Sequence, residues 1–151
     1  MAENVSRRRN EIDIPGRTPG GHYSAAVLAG DFIFVAGQVP RDENRKLLGE
    51  TIEEQTHATL DNVERVLEAA GASLNSVVKV SVYLADLALF ARFNTVYAGR
   101  FTEVRPVRTT IGCGLQGVLI EIDVVAYTGP RDADDDGPQS PVLPFKIKSA
   151  Q

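Results

Sequence analysis

The sequence predicts one α+β domain whose elements run ββ-α-β-α-ββ, a mixed sheet with both helices on one face. Three observations lead there. Alternating β-branched runs open and close the central region, two stretches between them carry apolar residues at helical spacing, and turn or capping residues mark the junctions. With 151 residues, 43% of them hydrophobic, the chain can bury one real core.

Ser24 to Leu28 and Asp31 to Val39 read as strands joined at Gly30–Asp31, a hairpin signal. Pro40 ends the second, and RDENRKLLGE is a polar connection. Thr51 with Glu54 three residues on forms a capping box. Leu60, Val63, Leu67 and Ala70 then recur at helical spacing, and Gly71 supplies a stop. Val77 to Leu84 alternates as a strand with one buried face. Asp86 caps a second helix in which Leu87, Phe90, Asn94, Tyr97 and Phe101 share a face. Val107 to Cys113 and Val118 to Tyr127 are the last strands.

Both ends differ from this core. Residues 1–20 combine Arg7, Arg8 and Arg9 with Pro15, Gly16, Pro19 and Gly20, and a flexible arm is expected there. The domain is expected over 21–127, followed by a flexible tail over 128–151 that is rich in proline and acid.

Composition narrows the function. A net charge of −4 and a pI near 5.2 give no electrostatic basis for nucleic-acid binding. No apolar run reaches the roughly 20 residues that span a bilayer, and the arginines of MAENVSRRRNEIDI are not followed by a signal-peptide core. The single cysteine, Cys113, fits a reducing compartment, so a cytoplasmic protein is expected. His22 and His57 are the only histidines, and neither belongs to a ligand-spaced set, so no metal is expected. GCGLQG lies between two strands and does not open a helix, unlike a phosphate-cradling loop.

A sheet covered on one side leaves its other face open, and this face is expected to carry Val, Ile and Ala side chains. Exposed apolar area of that kind marks an interface, so a homo-oligomer is expected, with the open faces packed together.

Two residues carry the chemical signal. Arg108 stands at the head of the strand after Pro106, and Glu121 sits within the run Val118 to Ala126. A guanidinium fork suits a substrate carboxylate, and a carboxylate inside a strand is costly to bury without a partner. Together they point to a small pocket for an organic acid. A plain Arg108–Glu121 salt bridge, or a Glu121 facing solvent, would produce the same pattern.

GDFIFVAGQVP (30–40), the helix QTHATLDNVERVLEAAG with its continuation ASLNSVVKVSVYLAD, FARFNTVYAGRF, and the closing PVRTT and IEIDVVAY occur in that order. In these segments the chain resembles the RidA/YjgF family of reactive-intermediate deaminases, also called L-PSP endoribonucleases. The resemblance covers roughly residues 20 to 127. It implies a chorismate-mutase-like fold, a homotrimer with sites at subunit interfaces, and hydrolysis of 2-imino acids such as 2-iminopropanoate and 2-iminobutanoate to 2-keto acids and ammonia. It further implies that Arg108 binds the substrate carboxylate and that Glu121 positions the attacking water. Gly37 would offer a backbone contact, Tyr23 an aromatic wall, Asn94 an amide near the mouth, and Thr110 a backbone contact where many members have cysteine. No cofactor is implied. The chain departs from the family pattern at Ala36, where many members have serine, and in the GCGLQG loop, which replaces an L-P turn. The segment RFTEVRPVR is short, and Cys113 does not take the family's cysteine position. Rival readings are a metabolite-binding or chaperone-like member and an endoribonuclease. Retention of Arg108 favours the deaminase over the first, and the acidic charge disfavours the second.

Overall fold

The computed structural model describes residues 9–129. Six strands and two α-helices build the domain: β1 (Arg9–Ile12), β2 (Ala26–Ala29), β3 (Phe32–Gln38), α1 (Ile52–Ala69), β4 (Val77–Leu84), α2 (Phe90–Arg100), β5 (Val107–Gly112) and β6 (Ile120–Tyr127). The sheet order is β1-β2-β3-β6-β4-β5, with β4 and β5 parallel and every other pair antiparallel. Both helices pack on one face of this mixed sheet, as the sequence predicts.

The local signals behave as their chemistry dictates. Ala29 pairs with Phe32 across Gly30–Asp31, and Gly30 takes φ 58°, which a two-residue hairpin turn requires. The capping box closes in both directions: the Glu54 N–H donates to Thr51 Oγ1 at 3.2 Å, and the Thr51 N–H donates to Glu54 Oε2 at 3.2 Å. Leu60, Val63 and Leu67 are fully buried and face Ile33, Val124 and their neighbours on the sheet. The helices are also tied on their outer sides. Arg92 grips both carboxylate oxygens of Glu53, and Arg100 reaches Asp61 and Glu64.

Two expectations need correction. Residues 9–12, placed in a flexible arm, form edge strand β1 on β2. Ladder pairing orders this short polar segment, although its composition gives no core signal. On α2 the buried face runs through Phe93, Tyr97 and Phe101, whereas Leu87 and Phe90 remain exposed. Leu87 lies in a 3-10 turn, Leu87–Leu89, whose tighter winding shifts it out of register with the helix. The open sheet face carries aliphatic side chains as expected, Val125 on β6 and Val107 and Ile111 on β5, the last two 68% and 46% exposed, and it adds aromatic rings beside them. Phe32, Phe34 and Tyr127 are 41%, 48% and 43% exposed there. Phe32 and Tyr127 pack ring against ring at 5.3 Å. The expected tail over 128–151 lies, from residue 130 on, outside the described residues.

Candidate active site

The strand registers decide which site residues meet. On β4, Val80, Val82 and Leu84 point into the core, and Ser81 and Tyr83 point to the open face. Arg108 pairs with Val80 and Thr110 with Val82, so both project to the helix side of edge strand β5. Glu121 pairs with Tyr83, so it projects to the open side of β6. Within one chain, therefore, Arg108 and Glu121 stand on opposite faces of the sheet. They form no salt bridge, and they do not make a single pocket.

The helix-side half is an arginine cradle. The Arg108 guanidinium carbon lies 4.6 Å from the Tyr97 ring centre, 5.4 Å from Phe93 and 5.5 Å from Phe90. Arg108 Nη1 donates to Asn94 Oδ1 at 2.8 Å. Aromatic faces attract the cation without spending its N–H donors. Among the described residues no carboxylate pairs with Arg108, and its other N–H groups find no protein acceptor. The Thr110 hydroxyl and the buried Tyr97 hydroxyl have no protein partner either. Burial holds the Tyr97 phenol above its ordinary pKa, while the charge of Arg108 pulls it back.

The open-face half brings Glu121 against Gly37. A register shift between Val35 and Gln38 marks an irregularity in β3 beside β6. There the Glu121 carboxyl lies against the Gly37 Cα. Burial raises the Glu121 carboxyl above the usual carboxylate range, and the nearby charge of Asp123 raises it further. Gly37 and Tyr23 also line a cleft of about 160 Å³ between residues 13–20 and the 41–45 loop. The Tyr23 hydroxyl accepts the Gly20 N–H at 3.1 Å.

Of the six residues singled out in the sequence, Arg108 meets Asn94 with Thr110 on the same side of β5, Glu121 meets Gly37, and Gly37 and Tyr23 line one cleft; their neighbours were not foreseen. Asp123 shares the open face with Glu121 and accepts the Tyr83 O–H at 2.9 Å. This bond, then burial, holds the Tyr83 phenol above its ordinary pKa. The two-residue spacing of Glu121 and Asp123 is a legible signal, since strand neighbours two apart face the same way. No comparable signal marks Phe93 and Tyr97 as the arginine's cradle, because aromatic residues at helical spacing read equally as core. Among the described residues no group of His, Cys, Asp and Glu could hold a metal ion, and no helix is long and apolar enough to cross a membrane.

Fold and site thus define a small α+β protein with a half-covered sheet, an unpaired arginine at one edge strand and a carboxyl on the bare face. Residues 16–128 match the family model described as Endoribonuclease L-PSP. The chain belongs to that family, the RidA/YjgF proteins. It is 47% identical over 112 residues to a RutC family protein of Pyrococcus abyssi, covering 72% of this chain and 88% of the relative. Its structure is similar to that of yeast Mmf1, with a TM-score of 0.74 and 32% identity over 80% of this chain and 98% of the other. RidA from an Antarctic Psychrobacter matches with a TM-score of 0.73 and 32% identity over 79% and 99%.

Proposed function

We propose that the chain hydrolyses reactive 2-imino acids and their enamine tautomers to 2-keto acids and ammonia. The observation that carries this reading is Arg108: an oriented, partly desolvated guanidinium with no carboxylate of its own. Such a group is set to receive an anion in a bidentate pair. The imine carbon of the bound acid is already electrophilic. Water adds to it, its proton passes to nitrogen, and the carbinolamine then loses ammonia to leave the keto group. Glu121 holds the water and relays the proton, and a carboxyl with a raised pKa suits a group that must both give and take one. The reaction consumes only water, so no cofactor enters the proposal.

The opposite orientation of Arg108 and Glu121 supports a site completed between protomers. In a closed ring of three, Arg108 from the edge of one sheet would meet Glu121 and Gly37 on the bare face of the next, with the Tyr23 cleft beyond Gly37. The exposed Phe32, Phe34 and Tyr127 supply apolar area for that contact. The test couples the protein to a pyridoxal-phosphate dehydratase acting on serine or threonine and follows the decay of the released imine. Decay faster than the spontaneous rate is expected with wild-type protein, and decay at the spontaneous rate with Arg108→Ala. Equal decay with both would overturn the reading.

A further inference from the structure

We propose that the cleft beside Tyr23 is a subsite for a second anionic group, so that the preferred substrates are 2-imino acids with an acidic side chain. This deepens the imine-hydrolase reading and rests on it. The cleft touches the reaction centre through Gly37, whose backbone lines it and whose Cα faces the Glu121 carboxyl. Gly37 is the residue common to both, so in this proposal a substrate with its imine carbon at Glu121 extends past Gly37 and its side chain enters the cleft that Tyr23 lines. The volume, about 160 Å³, suits a short side chain and is too small for a nucleotide or a drug-sized ligand.

Three arginines and three carboxylates line the cleft, but their commitments differ. Arg41 donates to three main-chain carbonyls, of Arg45, Gln116 and Gly117. Arg17 is shared between Asn62 at 3.3 Å and Glu43 at 3.9 Å. Asp42 Oδ1 accepts the N–H groups of Asn44 and Lys46, both at 2.9 Å, and Asp13 Oδ1 accepts the Ala25 N–H at 3.5 Å. Arg45 alone of the three has no acceptor for its guanidinium among the described residues. That guanidinium lies over Gly20, where an added β-carbon would stand 2.9 Å from Nη2 and 3.3 Å from the Tyr23 hydroxyl. A cation and a hydroxyl thus converge on one point of the cleft wall.

The backbone singles out the same residue. Arg45 has φ 64° and is the one non-glycine residue with positive φ among the described residues. It closes the turn of the 41–47 loop, a place where glycine would adopt this conformation without strain. An arginine held there at a conformational cost is best explained by what its side chain does.

The experiment measures binding of two product analogues of equal chain length by titration calorimetry, 2-oxoglutarate and 2-oxopentanoate, to the full chain and to Arg45→Gln. The distal carboxylate is expected to improve binding roughly five- to tenfold, as for a partly solvated charge-assisted pair. Arg45→Gln should abolish that difference and leave 2-oxopentanoate unchanged, and added salt should shrink it in wild type. Equal binding of the two acids, or an Arg45→Gln variant that weakens both alike, overturns the subsite. If the preference for 2-oxoglutarate persists in a protein that accelerates no imine hydrolysis, the subsite stands and the deaminase reading falls.

Discussion

The Glu121 carboxyl occupies the space beside the Cα of Gly37 where any other residue would carry its β-carbon. This one relationship joins the last strand to the irregularity in β3. It half-buries the carboxyl beside a residue that also lines the Tyr23 cleft.

Gly37→Ala should therefore act as a catalytic lesion with little effect on folding. The new methyl meets the end of a flexible side chain, which moves aside at small cost, but the carboxyl leaves its station. A displacement of about 1 Å can cost on the order of a hundredfold in turnover. Imine hydrolysis and the urea midpoint, measured on the same preparation, check both halves. An unchanged rate would separate Gly37 from the chemistry.

Arg108→Lys keeps the charge and loses the planar fork and the stacking on Tyr97, Phe93 and Phe90. We expect kcat/KM to fall by about a hundredfold or more, with thermal stability within ~1 kcal/mol of wild type. Steady-state kinetics beside a melting curve would show it. A lysine variant as active as the parent would mean that bidentate recognition plays no part.

Glu121→Gln has a pH signature in stability. The folded-state pKa is raised, so the protonated carboxyl favours the fold at low pH, and that contribution is lost as pH rises through the raised value. The glutamine variant should be slightly more stable than wild type at neutral pH, by less than ~1 kcal/mol since the carboxyl is partly solvated. The gap should close near about pH 4. Melting temperatures across pH 4 to 8 test the sign, and a variant less stable at pH 7 would contradict it.

Asn62→Ala should be the costliest of these changes for the fold. Asn62 is 2% exposed, donates to the Val39 and Arg41 carbonyls at 2.8 and 2.9 Å, and accepts from Arg65 at 2.6 Å. Truncation removes both bonds and leaves the Arg41 carbonyl without this donor, while the Val39 carbonyl keeps only the Arg41 N–H, at roughly 1–3 kcal/mol in all. Chemical denaturation at constant m-value reads this directly. The same change frees the start of the 41–47 loop, so any 2-oxoglutarate preference should weaken with it.

Phe34→Glu addresses assembly. A charge at the centre of the bare face should reduce a trimeric mass to that of the single chain in light scattering while the helical circular dichroism stays. A monomeric wild type, or a trimeric variant, would remove the open face from the interface.

Much of this protein follows from local chemistry. The hairpin at Gly30, the Thr51–Glu54 box and the alternation of Val77 to Leu84 act over a few residues, so their partners lie within sight in the sequence. Arg108 and Glu121 stand out for a similar reason, since each is a charge inside an apolar setting. Their orientation is another matter. It depends on Val80 pairing with Arg108 and Tyr83 with Glu121, contacts between segments about 30 to 40 residues apart whose register no local pattern encodes. Strand β1 and the guanidinium of Arg45 over Gly20 arise in the same way, from packing that brings distant segments side by side. Residue types thus announce the chemistry, while the registry of the strands determines which side chains can share a ligand.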